Sequence, residues 1–291
     1  MTAPPSCSAV LVSHDSEATL EACLQALARQ EGVDLEIVVV DNASRRDPAG
    51  TVRAPAAVRW LRNPDNPGFA VACNQGAALA RGTWLLFLNP DCLLPEGALA
   101  ALIGLAQRQA GQGLLGAQLV EADGRLQAAA RRLDPTPARW LRGRLELPAP
   151  RWAQDPAAAP EFEPLEAVSG ALMLMPRQLF EAVGGFDAGY RLHVEDLDLC
   201  RRVREAGGWV GIAPRVRVTH LKGTSSRRRP LWVEWQKHRG LWRYFCKFDR
   251  ARAPWWAGPL LLLALAAHLV PAGVRALWRA RRPPPAPYRA T

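Results

Sequence analysis

The first ninety residues alternate strongly apolar runs with stretches of helical spacing, and this alternation restricts the fold more than any other feature. Strand-like runs occupy residues 8–12, 35–41, 58–61 and 83–89, and helix-like stretches occupy residues 17–29 and 69–81. Buried strands separated by helices are typical of βαβ units. The sequence therefore predicts an α/β fold with a mostly parallel sheet flanked by helices, whose ligands bind beyond the carboxyl ends of the strands.

The second half of the chain begins with a different composition. Residues 131–165 hold seven prolines and little periodicity, which is typical of a long surface loop, and such loops often cover a site. Regular structure returns at residues 166–218, where the patterns predict a strand, two helices that each end in a Gly pair, and a last strand.

The composition indicates a folded protein in a reducing compartment. Of the 291 residues, 49% are hydrophobic and 22% are charged, as in globular proteins and unlike disordered or fibrous chains. The six cysteines contain no CxxC pair, which argues against a disulfide scaffold or a zinc ribbon. The N-terminus has no basic segment followed by an apolar one, so we expect no secretory signal and a cytoplasmic protein.

The charge is divided unevenly along the chain. Residues 1–200 hold 17 basic and 24 acidic side chains, whereas residues 201–291 hold 20 and 3. A basic end can bind nucleic acid, phosphates or an anionic membrane surface. The long run of Leu and Ala in this end is unsuited to tracking phosphates, and we find no nucleic-acid motif, so we expect a membrane surface and no nucleic acid.

The apolar run at residues 254–274 is 21 residues long and carries no formal charge, close to the roughly 20 residues that cross hydrocarbon. If the preceding domain is cytoplasmic, a span would carry the four arginines of residues 275–282 across the membrane, against the positive-inside tendency. A helix in the cytoplasmic interface, with Trp255, Trp256 and Trp278 at the headgroups, suits the sequence better. A true span and a buried or oligomer-contact helix remain alternatives.

Polar side chains follow the first two predicted strands. Ser13 and His14 end the first in VSHDS, and Asp41 ends the second in VDNAS. At neighbouring strand ends, the Asp41 carboxylate could accept a hydrogen bond from a nucleobase N–H while the imidazole packs on the base. The alternative is that Asp41 is only a turn or N-cap residue.

Two further positions could bind a metal ion and phosphate. Asp91 ends the fourth predicted strand in LNPDC, where a carboxylate suits a hard divalent cation; a plain Pro-Asp turn is the alternative. His220 follows the last predicted strand and could ligate a metal, while Lys222 and residues 227–229 could neutralise a diphosphate. A structural histidine and a solvated basic face are the alternatives there.

The segment VEDLDLC places three acidic side chains, Glu195, Asp196 and Asp198, within four residues. Adjacent carboxylates on a helix point in different directions, so one can face a cleft while its neighbour caps the helix or binds a basic group. The alternative is that a carboxylate at the start of a helix only complements the helix dipole, and the two interpretations can hold for different members of the segment.

These motifs occur together in one order: VLVSHDS, IVVVDNAS, NPDNPGFAVACNQGAALARGTWLLFLNPD, SGALMLMPRQLFEAVGGFDAGYRLHVEDLDLCRRVREAGG and THLKGTSS. Over about residues 6–250, this series resembles the inverting family 2 glycosyltransferases of GT-A fold, and within them the rhamnosyltransferase-like branch. The resemblance implies a GT-A domain at residues 1–228, with the loop 131–165, and a basic, Trp-rich, membrane-associating helical extension at residues 229–291.

The resemblance also implies residue roles. Asp196 is implied as the general base, with Glu195 beside it. The metal ligands implied for Mg²⁺ or Mn²⁺ are Asp91 and His220. The implied donor-binding residues are Ser13, His14, Asp41, Asn66, Gly68, Asn74 and Gly170, with Asp41 reading the uracil or thymine N3–H.

Three positions depart from the family pattern. Asn89 replaces the first Asp of a full DXD motif, which bears on metal affinity, while Cys73 and His193 replace the usual Asn and an aromatic or acidic residue. These differences bear on donor and acceptor choice more than on the reaction.

The implied function is transfer of a sugar such as rhamnose, with inversion, from a dTDP- or UDP-linked donor to a glycan or polyprenyl-linked acceptor in cell-envelope polysaccharide synthesis. The enzyme would be peripheral on the inner face of the membrane. A non-catalytic GT-A scaffold or binding module at the membrane is the alternative, although it would be expected to lose Asp91 or Asp196. A nicotinamide-dependent oxidoreductase is excluded by the absence of glycine in VSHDSEA.

Overall fold

The computed structural model describes residues 4–55, 58–221 and 230–280. Its strands are β1 (Ser6–Ser13), β2 (Asp34–Asn42), β3 (Val58–Asn63), β4 (Trp84–Leu88), β5 (Cys92–Leu93), β6 (Gly113–Val120), β7 (Arg131–Arg132), β8 (Glu163–Pro164), β9 (Ala167–Val168), β10 (Leu172–Pro176) and β11 (Trp209–His220). Its α-helices are α1 (Glu17–Ala28), α2 (Pro48–Thr51), α3 (Phe69–Leu79), α4 (Ala98–Arg108), α5 (Pro137–Leu141), α6 (Arg177–Ala182), α7 (Glu195–Glu205), α8 (Pro230–Tyr244) and α9 (Ala257–Ala280).

The main sheet has the strand order β3-β2-β1-β4-β10-β6-β11-β5, with β8 added beside β11. The pairs among β1 to β4 and the pair β6–β11 are parallel, as the βαβ pattern predicts. Strand β10 runs antiparallel to both β4 and β6, so β4, β6 and β11 all point the same way. The carboxyl ends of β1, β2, β4, β6 and β11 therefore lie along one edge of the sheet, and β10 begins there.

The central strands are apolar on both sides because helices cover both faces of the sheet. All eight residues of β6 are buried, as are the last four of β4. We did not predict β6, since the run GLLGAQLV is short and lacks alternation. The predicted single strand at 166–176 is two strands, β9 and β10, separated by a turn at residues 169–171.

The predicted proline-rich loop carries more structure than its composition suggests. Strand β7 at its start pairs antiparallel with β9 in a separate two-stranded sheet. The short helix α5 follows, with Thr136 as a side-chain N-cap and Pro137 in its first turn. The loop is thus tied to the segment just before β10.

The C-terminal helices have different surroundings. Leu241, Tyr244 and Phe245, at the end of α8 and in the π-helical turn that follows, are buried in the same core as the sheet. Helix α9 packs on α8. Its Leu261 and Leu265 are buried, at about 5% exposed, but most of its apolar side chains face outward. The predicted boundary at residues 228–229 lies outside the described residues.

Candidate active site

Asp41 is buried at the end of β2, directly beside Ser13 of β1 in the parallel register. Its Oδ2 accepts a hydrogen bond from the Ser44 N–H at 3.2 Å, and its Oδ1 accepts one from the Ser44 hydroxyl. The Arg62 guanidinium lies 3.5 Å from Oδ2. The carboxylate is therefore fixed in orientation and partly balanced in charge.

His14 is held at the same edge by a backbone contact. Its Nδ1 lies 2.7 Å from the carbonyl oxygen of Asn42. Because a carbonyl can only accept, Nδ1 carries the proton and donates it, which fixes the ring plane. Ser13 turns inward, with its hydroxyl 3.1 Å from that of Ser16, so it supports the turn at the end of β1.

The segment around Gly68 connects this edge to the loop that precedes α7. Gly68 has φ +104°, and a Cβ there would lie 2.6 Å from the carbonyl oxygen of Arg191. That same oxygen accepts from the Phe69 N–H at 3.1 Å. The Asn66 side-chain oxygen accepts from the Gly68 N–H at 3.1 Å. Only glycine fits this approach of two backbones.

Asn74 lies on α3 and contacts a turn of the chain far away in sequence. Its amide accepts from the Phe186 N–H at 2.9 Å and donates to the Phe186 carbonyl oxygen at 2.8 Å. These two bonds fix the GGFD turn before α7. The structure therefore gives Asn74 a structural contact, and its predicted contact with a donor stays a prediction.

Asp91 and His220 come together across the antiparallel pair of β5 and β11. Oδ1 of Asp91 lies 3.3 Å from Nε2 of His220, and both side chains are about 12% exposed. Gln127 donates from Nε2 to the His220 carbonyl oxygen at 2.7 Å, so its Oε1 faces His220 Nδ1 at 2.9 Å. Nδ1 must then donate to Gln127, which leaves Nε2 as the ring nitrogen that faces Asp91.

This arrangement fits a cation. Oδ1 of Asp91 is buried and has no hydrogen-bond partner among the described residues, so a carboxylate oxygen lies beside an imidazole nitrogen, and both are atoms that ligate divalent metals. Cys92 also lies within 4.8 Å of this pair. Its thiol, however, donates to the Ala171 carbonyl oxygen, and burial and the neighbouring Asp91 charge raise its pKa well above its usual value. Asp91 and His220 are therefore the ligands suited to a divalent metal.

Asp196 lies at the start of α7 with every carboxylate oxygen anchored. Oδ1 accepts from the Leu197 N–H at 2.9 Å. Oδ2 accepts from the Gly170 N–H at 3.0 Å and from the Arg132 guanidinium at 3.2 Å. A Cβ at Gly170 would lie 3.2 Å from the Asp196 Cβ. The structure thus brings Gly170, predicted to bind the donor, against the predicted base.

Glu195, next to Asp196, is buried and has a raised pKa. Burial and the negative charge of Asp196 raise its pKa from 4.5 to about 8, and its Oε2 has no partner among the described residues. Glu195 therefore keeps its proton to a higher pH than an exposed glutamate does, because a second buried negative charge beside Asp196 is unfavourable.

The turn into α7 is strained. His193 and Val194 both have left-handed backbone conformations, with φ +66° and +73°, which a β-branched residue rarely adopts. Gly240 of α8 packs over this turn, where a Cβ would lie 3.0 Å from Val194 Cγ2. Strain of this kind persists only where packing enforces it, and it is common at functional sites.

Asp198, the third acid of VEDLDLC, has a structural role. It is fully buried, with Oδ1 accepting from Arg202 at 2.6 Å and Oδ2 accepting from Lys247 at 2.7 Å. Both of its oxygens are therefore neutralised within the protein. Asp198 is thus an acid of this segment that binds basic groups, as we expected from the sequence for a neighbour of the acid that faces a cleft.

Several residues of this site were not predicted. They are Ser44 and Arg62 beside Asp41, Gln127 beside His220, and Arg132 beside Asp196. The sequence pair Arg131-Arg132, inside a segment otherwise poor in pattern, was the available signal for the last of these. The predicted phosphate-neutralising residues, Lys222 and 227–229, lie outside the described residues.

A family model places the chain among known proteins. The model described as glycosyl transferase family 2 matches residues 8–181, which is more than half of the chain. The protein belongs to glycosyl transferase family 2. The predicted family and enzyme class are therefore confirmed.

Sequence relatives indicate which branch of the family this glycosyltransferase resembles. It is 28% identical over 287 residues to the N-acetylglucosaminyl-diphospho-decaprenol L-rhamnosyltransferase of Mycobacterium tuberculosis, covering 90% of this chain and 91% of that one. The predicted likeness to the rhamnosyltransferase branch is confirmed.

Solved structures confirm the fold. GalNAc-T7, crystallised with UDP, GalNAc and Mn²⁺, superimposes with a TM-score of 0.63 at 18% identity, covering 83% of this chain and 47% of that one. The mannosyltransferase PcManGT of Pyrobaculum calidifontis, in complex with GDP-Man and Mn²⁺, gives 0.57 at 22% identity, covering 96% and 74%. The predicted GT-A arrangement of a helix-flanked sheet is therefore correct.

Proposed function

We propose that this glycosyltransferase moves a sugar such as rhamnose, with inversion, from a dTDP- or UDP-linked donor to a glycan or polyprenyl-linked acceptor in cell-envelope polysaccharide synthesis. The observation that carries the proposal is the Asp196 carboxylate, which is anchored at the start of α7 by Arg132, Gly170 and Leu197. The M. tuberculosis relative, which is named for a lipid-linked acceptor and for rhamnose, supports the choice of substrates.

Asp41 is proposed to bind the pyrimidine base. Its two oxygens are oriented by Ser44, so one can accept from the uracil or thymine N3–H. His14, whose ring plane is fixed by the Asn42 carbonyl, would lie beside the base. The neighbouring Asn66–Gly68 turn would form the adjacent wall of the donor pocket.

Asp91 and His220 are proposed to hold Mg²⁺ or Mn²⁺. When bound there, a divalent cation would neutralise the donor diphosphate and favour its departure. Gln127 would orient His220 through its Nδ1–H, a contact of the kind that fixes metal-binding histidines. The two solved relatives that contain Mn²⁺ support this choice of cofactor.

Asp196 is proposed to be the general base. It would take the proton from the acceptor hydroxyl while that oxygen forms a bond to the anomeric carbon of the donor. The bond from that carbon to the diphosphate oxygen breaks at the same time, and the nucleoside diphosphate leaves with the electron pair. Attack from the face opposite the diphosphate inverts the anomeric carbon.

The membrane is proposed as the place of reaction, with the enzyme on its cytoplasmic face. By length and composition, α9 is able to cross a membrane, with a mean hydropathy of 1.9 over its apolar window and 22% of that window buried. Trp255, preceding α9, is 88% exposed, and Trp278 near its end is 60% exposed. Tryptophans at both ends of an outward-facing apolar surface suit a helix in the lipid interface.

The donor can be tested before the acceptor is known. Purified protein is heated with a panel of dTDP- and UDP-sugars, with and without Mg²⁺ or Mn²⁺, and the Asp91→Ala variant is measured alongside. Ligands that bind only the folded state raise Tm. A metal-dependent rise with one dTDP- or UDP-sugar that is lost in Asp91→Ala supports the proposal, and a rise that is equal in both proteins contradicts the metal assignment.

A further inference from the structure

Residues 131–147, which we call the strap, form a closed loop beside Asp196. The ends of the strap are joined by the Leu147 N–H, which donates to the Arg131 carbonyl oxygen at 3.0 Å, and by the Leu133 N–H, which donates to the Leu145 carbonyl oxygen at 3.0 Å. Helix α5 forms its tip. Strand β7 at its base is paired with β9, so the strap leaves the protein body at a fixed position.

Arg132 at the base of the strap contacts the proposed catalytic base directly. Its Nη1 donates to Asp196 Oδ2 at 3.2 Å, with the two side chains 21% and 8% exposed. With the N–H groups of Gly170 and Leu197, this contact fixes the plane of the carboxylate. A cation beside a carboxylate also favours its ionised, proton-accepting form.

The middle of the strap is fastened to the catalytic domain by charged contacts. Asp134 accepts from Arg204 of α7 at 2.6 and 2.8 Å. Arg139 forms a two-pronged ion pair with Glu166, just before β9. Burial opposes ionisation of Glu166, but its hydrogen bonds with Arg139 and the Asp134 N–H outweigh that effect and lower its pKa. The strap is thus bound to the helix that carries Asp196.

The tip of the strap rests on the two C-terminal helices. The ring of Trp140 meets His268 of α9 edge to face, with centroids 5.3 Å apart, and meets His238 of α8 in the same way at 6.1 Å. Trp140 is the aromatic side chain of α5, and through it the strap contacts both α8 and α9.

The two histidines form a hydrogen-bond chain with one direction. His238 Nδ1 lies 2.7 Å from the Glu234 carbonyl oxygen, so it must donate. His238 Nε2 then accepts from His268 Nδ1 at 3.0 Å, and His268 Nε2 accepts from Arg275 at 3.1 Å. When both rings are neutral, each ring nitrogen has a hydrogen-bond partner. Burial lowers the pKa of His268, and the neighbouring His238 and Arg275 lower it further. The pair therefore joins α8 to α9 rigidly beneath Trp140.

We infer that Arg132 is a positioning residue for Asp196, and that α8 and α9 support it by holding the strap through Trp140. The inference rests on the proposed function, since Arg132 matters for rate only if Asp196 is the base. Its consequence is that α9 contributes to catalysis as well as to membrane association.

The first test compares Arg132→Met, Arg132→Lys and the control Arg142→Met, an exposed arginine of the same strap. Sugar transfer is measured against pH with the donor that the thermal-shift panel identifies. We expect Arg132→Met to lower kcat about 10- to 100-fold, because small displacements of a catalytic group have effects of this size. Its acid limb of kcat/KM should move to higher pH, since the cation that favours the ionised carboxylate is gone.

Arg132→Lys keeps the charge and should restore the position of the acid limb while leaving kcat reduced. The other titratable groups that interact electrostatically with Asp196 are Glu195, His193 and Cys200, and Lys237 in turn acts on His193. All four are unchanged in the three variants. Arg142→Met should match the wild type. An Arg132→Met enzyme with wild-type kcat and an unmoved acid limb would overturn the inference.

The second test needs no activity. Amide hydrogen exchange of residues 131–147 is measured in Trp140→Ala, His268→Ala and the control Leu141→Ala, whose side chain is 56% exposed. We expect the strap amides to exchange faster than in wild type in Trp140→Ala and His268→Ala, and at the wild-type rate in Leu141→Ala. All three variants should keep the donor-induced rise in Tm. Unchanged exchange in both Trp140→Ala and His268→Ala would overturn the support by α8 and α9.

The two failures are distinguishable. A wild-type protein that transfers no sugar from any donor contradicts the proposed function, whatever the strap does. A wild-type protein that transfers sugar while the Arg132 variants behave like the control contradicts the inference alone.

Discussion

Nε2 of His220 lies 3.3 Å from Oδ1 of Asp91, while Nδ1 on the other side of the ring donates to Gln127. A carboxylate oxygen and an imidazole nitrogen this close together are suited to share one positive charge, a proton or a metal ion. The contact connects the last strand of the sheet to the acid that follows β4, and it places the proposed cation site at the carboxyl ends of the strands.

Gln127 should therefore control metal affinity without touching the metal. In Gln127→Leu the Nδ1–H of His220 loses its acceptor, so the imidazole is free to turn or change tautomer. We expect the apparent affinity for Mn²⁺ to fall about 10- to 100-fold, measured as the metal concentration at half-maximal donor-induced Tm shift. Gln112→Leu, a surface glutamine at the opposite end of the sheet, serves as control, and equal affinity in the two variants would refute the role of Gln127.

Asp196 and Asp198 should respond differently to the same substitution. Asp196→Asn removes the proton acceptor, so transfer should fall by about 10²- to 10⁴-fold while donor binding persists. Asp198→Asn breaks the buried contacts with Arg202 and Lys247, so its main effect should be a loss of about 3–5 kcal/mol of stability. Tm and transfer rates measured on both variants separate the two roles, and a loss of activity in Asp198→Asn alone would reverse them.

Glu195 should make stability fall as pH rises. Its pKa in the folded protein, about 8, is above the unfolded value near 4.5, so the folded state binds more protons between these two pH values. The contribution of Glu195 to stability is therefore fully present below about pH 4.5 and is lost progressively as the pH rises to about 8. Glu195→Gln removes this loss, so its Tm relative to wild type should be higher at pH 8 than at pH 5. A Tm difference independent of pH would show that the carboxyl group is ionised throughout.

The exposed tryptophans beside α9 should determine membrane association. Trp255 and Trp256 are 88% and 51% exposed, so replacing both by serine removes little internal packing. We expect binding to vesicles that contain anionic lipid to fall at least several-fold in a flotation assay, while Tm changes by less than about 2 °C. Trp235→Ser, on α8 and 54% exposed, tests whether α8 belongs to the same surface. Unchanged binding in the double variant would contradict the orientation proposed for α9.

The sequence allowed the first half of the sheet to be predicted because its strands are apolar throughout and its helices lie between them. The same periodicity predicted a strand at residues 166–176 but could not reveal the antiparallel direction of β10, which depends on the turn at residues 169–171. That turn points the Gly170 N–H at Asp196, and so a local feature invisible in the pattern shapes the proposed active site.

The acids and histidines of the candidate site could be named from motifs, but their partners could not. Asp91 and His220 are 129 positions apart and meet only through the pairing of β5 with β11. Arg132 lies in a proline-rich segment without periodicity, and its contact with Asp196 depends on the two-residue pairing of β7 with β9. Contacts that depend on such short pairings leave almost no signal in composition or spacing.

The most direct test of the central claim is the rate of sugar transfer by wild type and Asp196→Asn to N-acetylglucosaminyl-diphospho-polyprenol in membranes. Each protein is first shown to bind the same dTDP- or UDP-sugar by its metal-dependent Tm shift. The account predicts transfer by the wild type, with inversion at the anomeric carbon, and a loss of about 10²-fold or more in Asp196→Asn. Equal transfer rates in two proteins that bind the donor equally would contradict the assignment of Asp196 as the base.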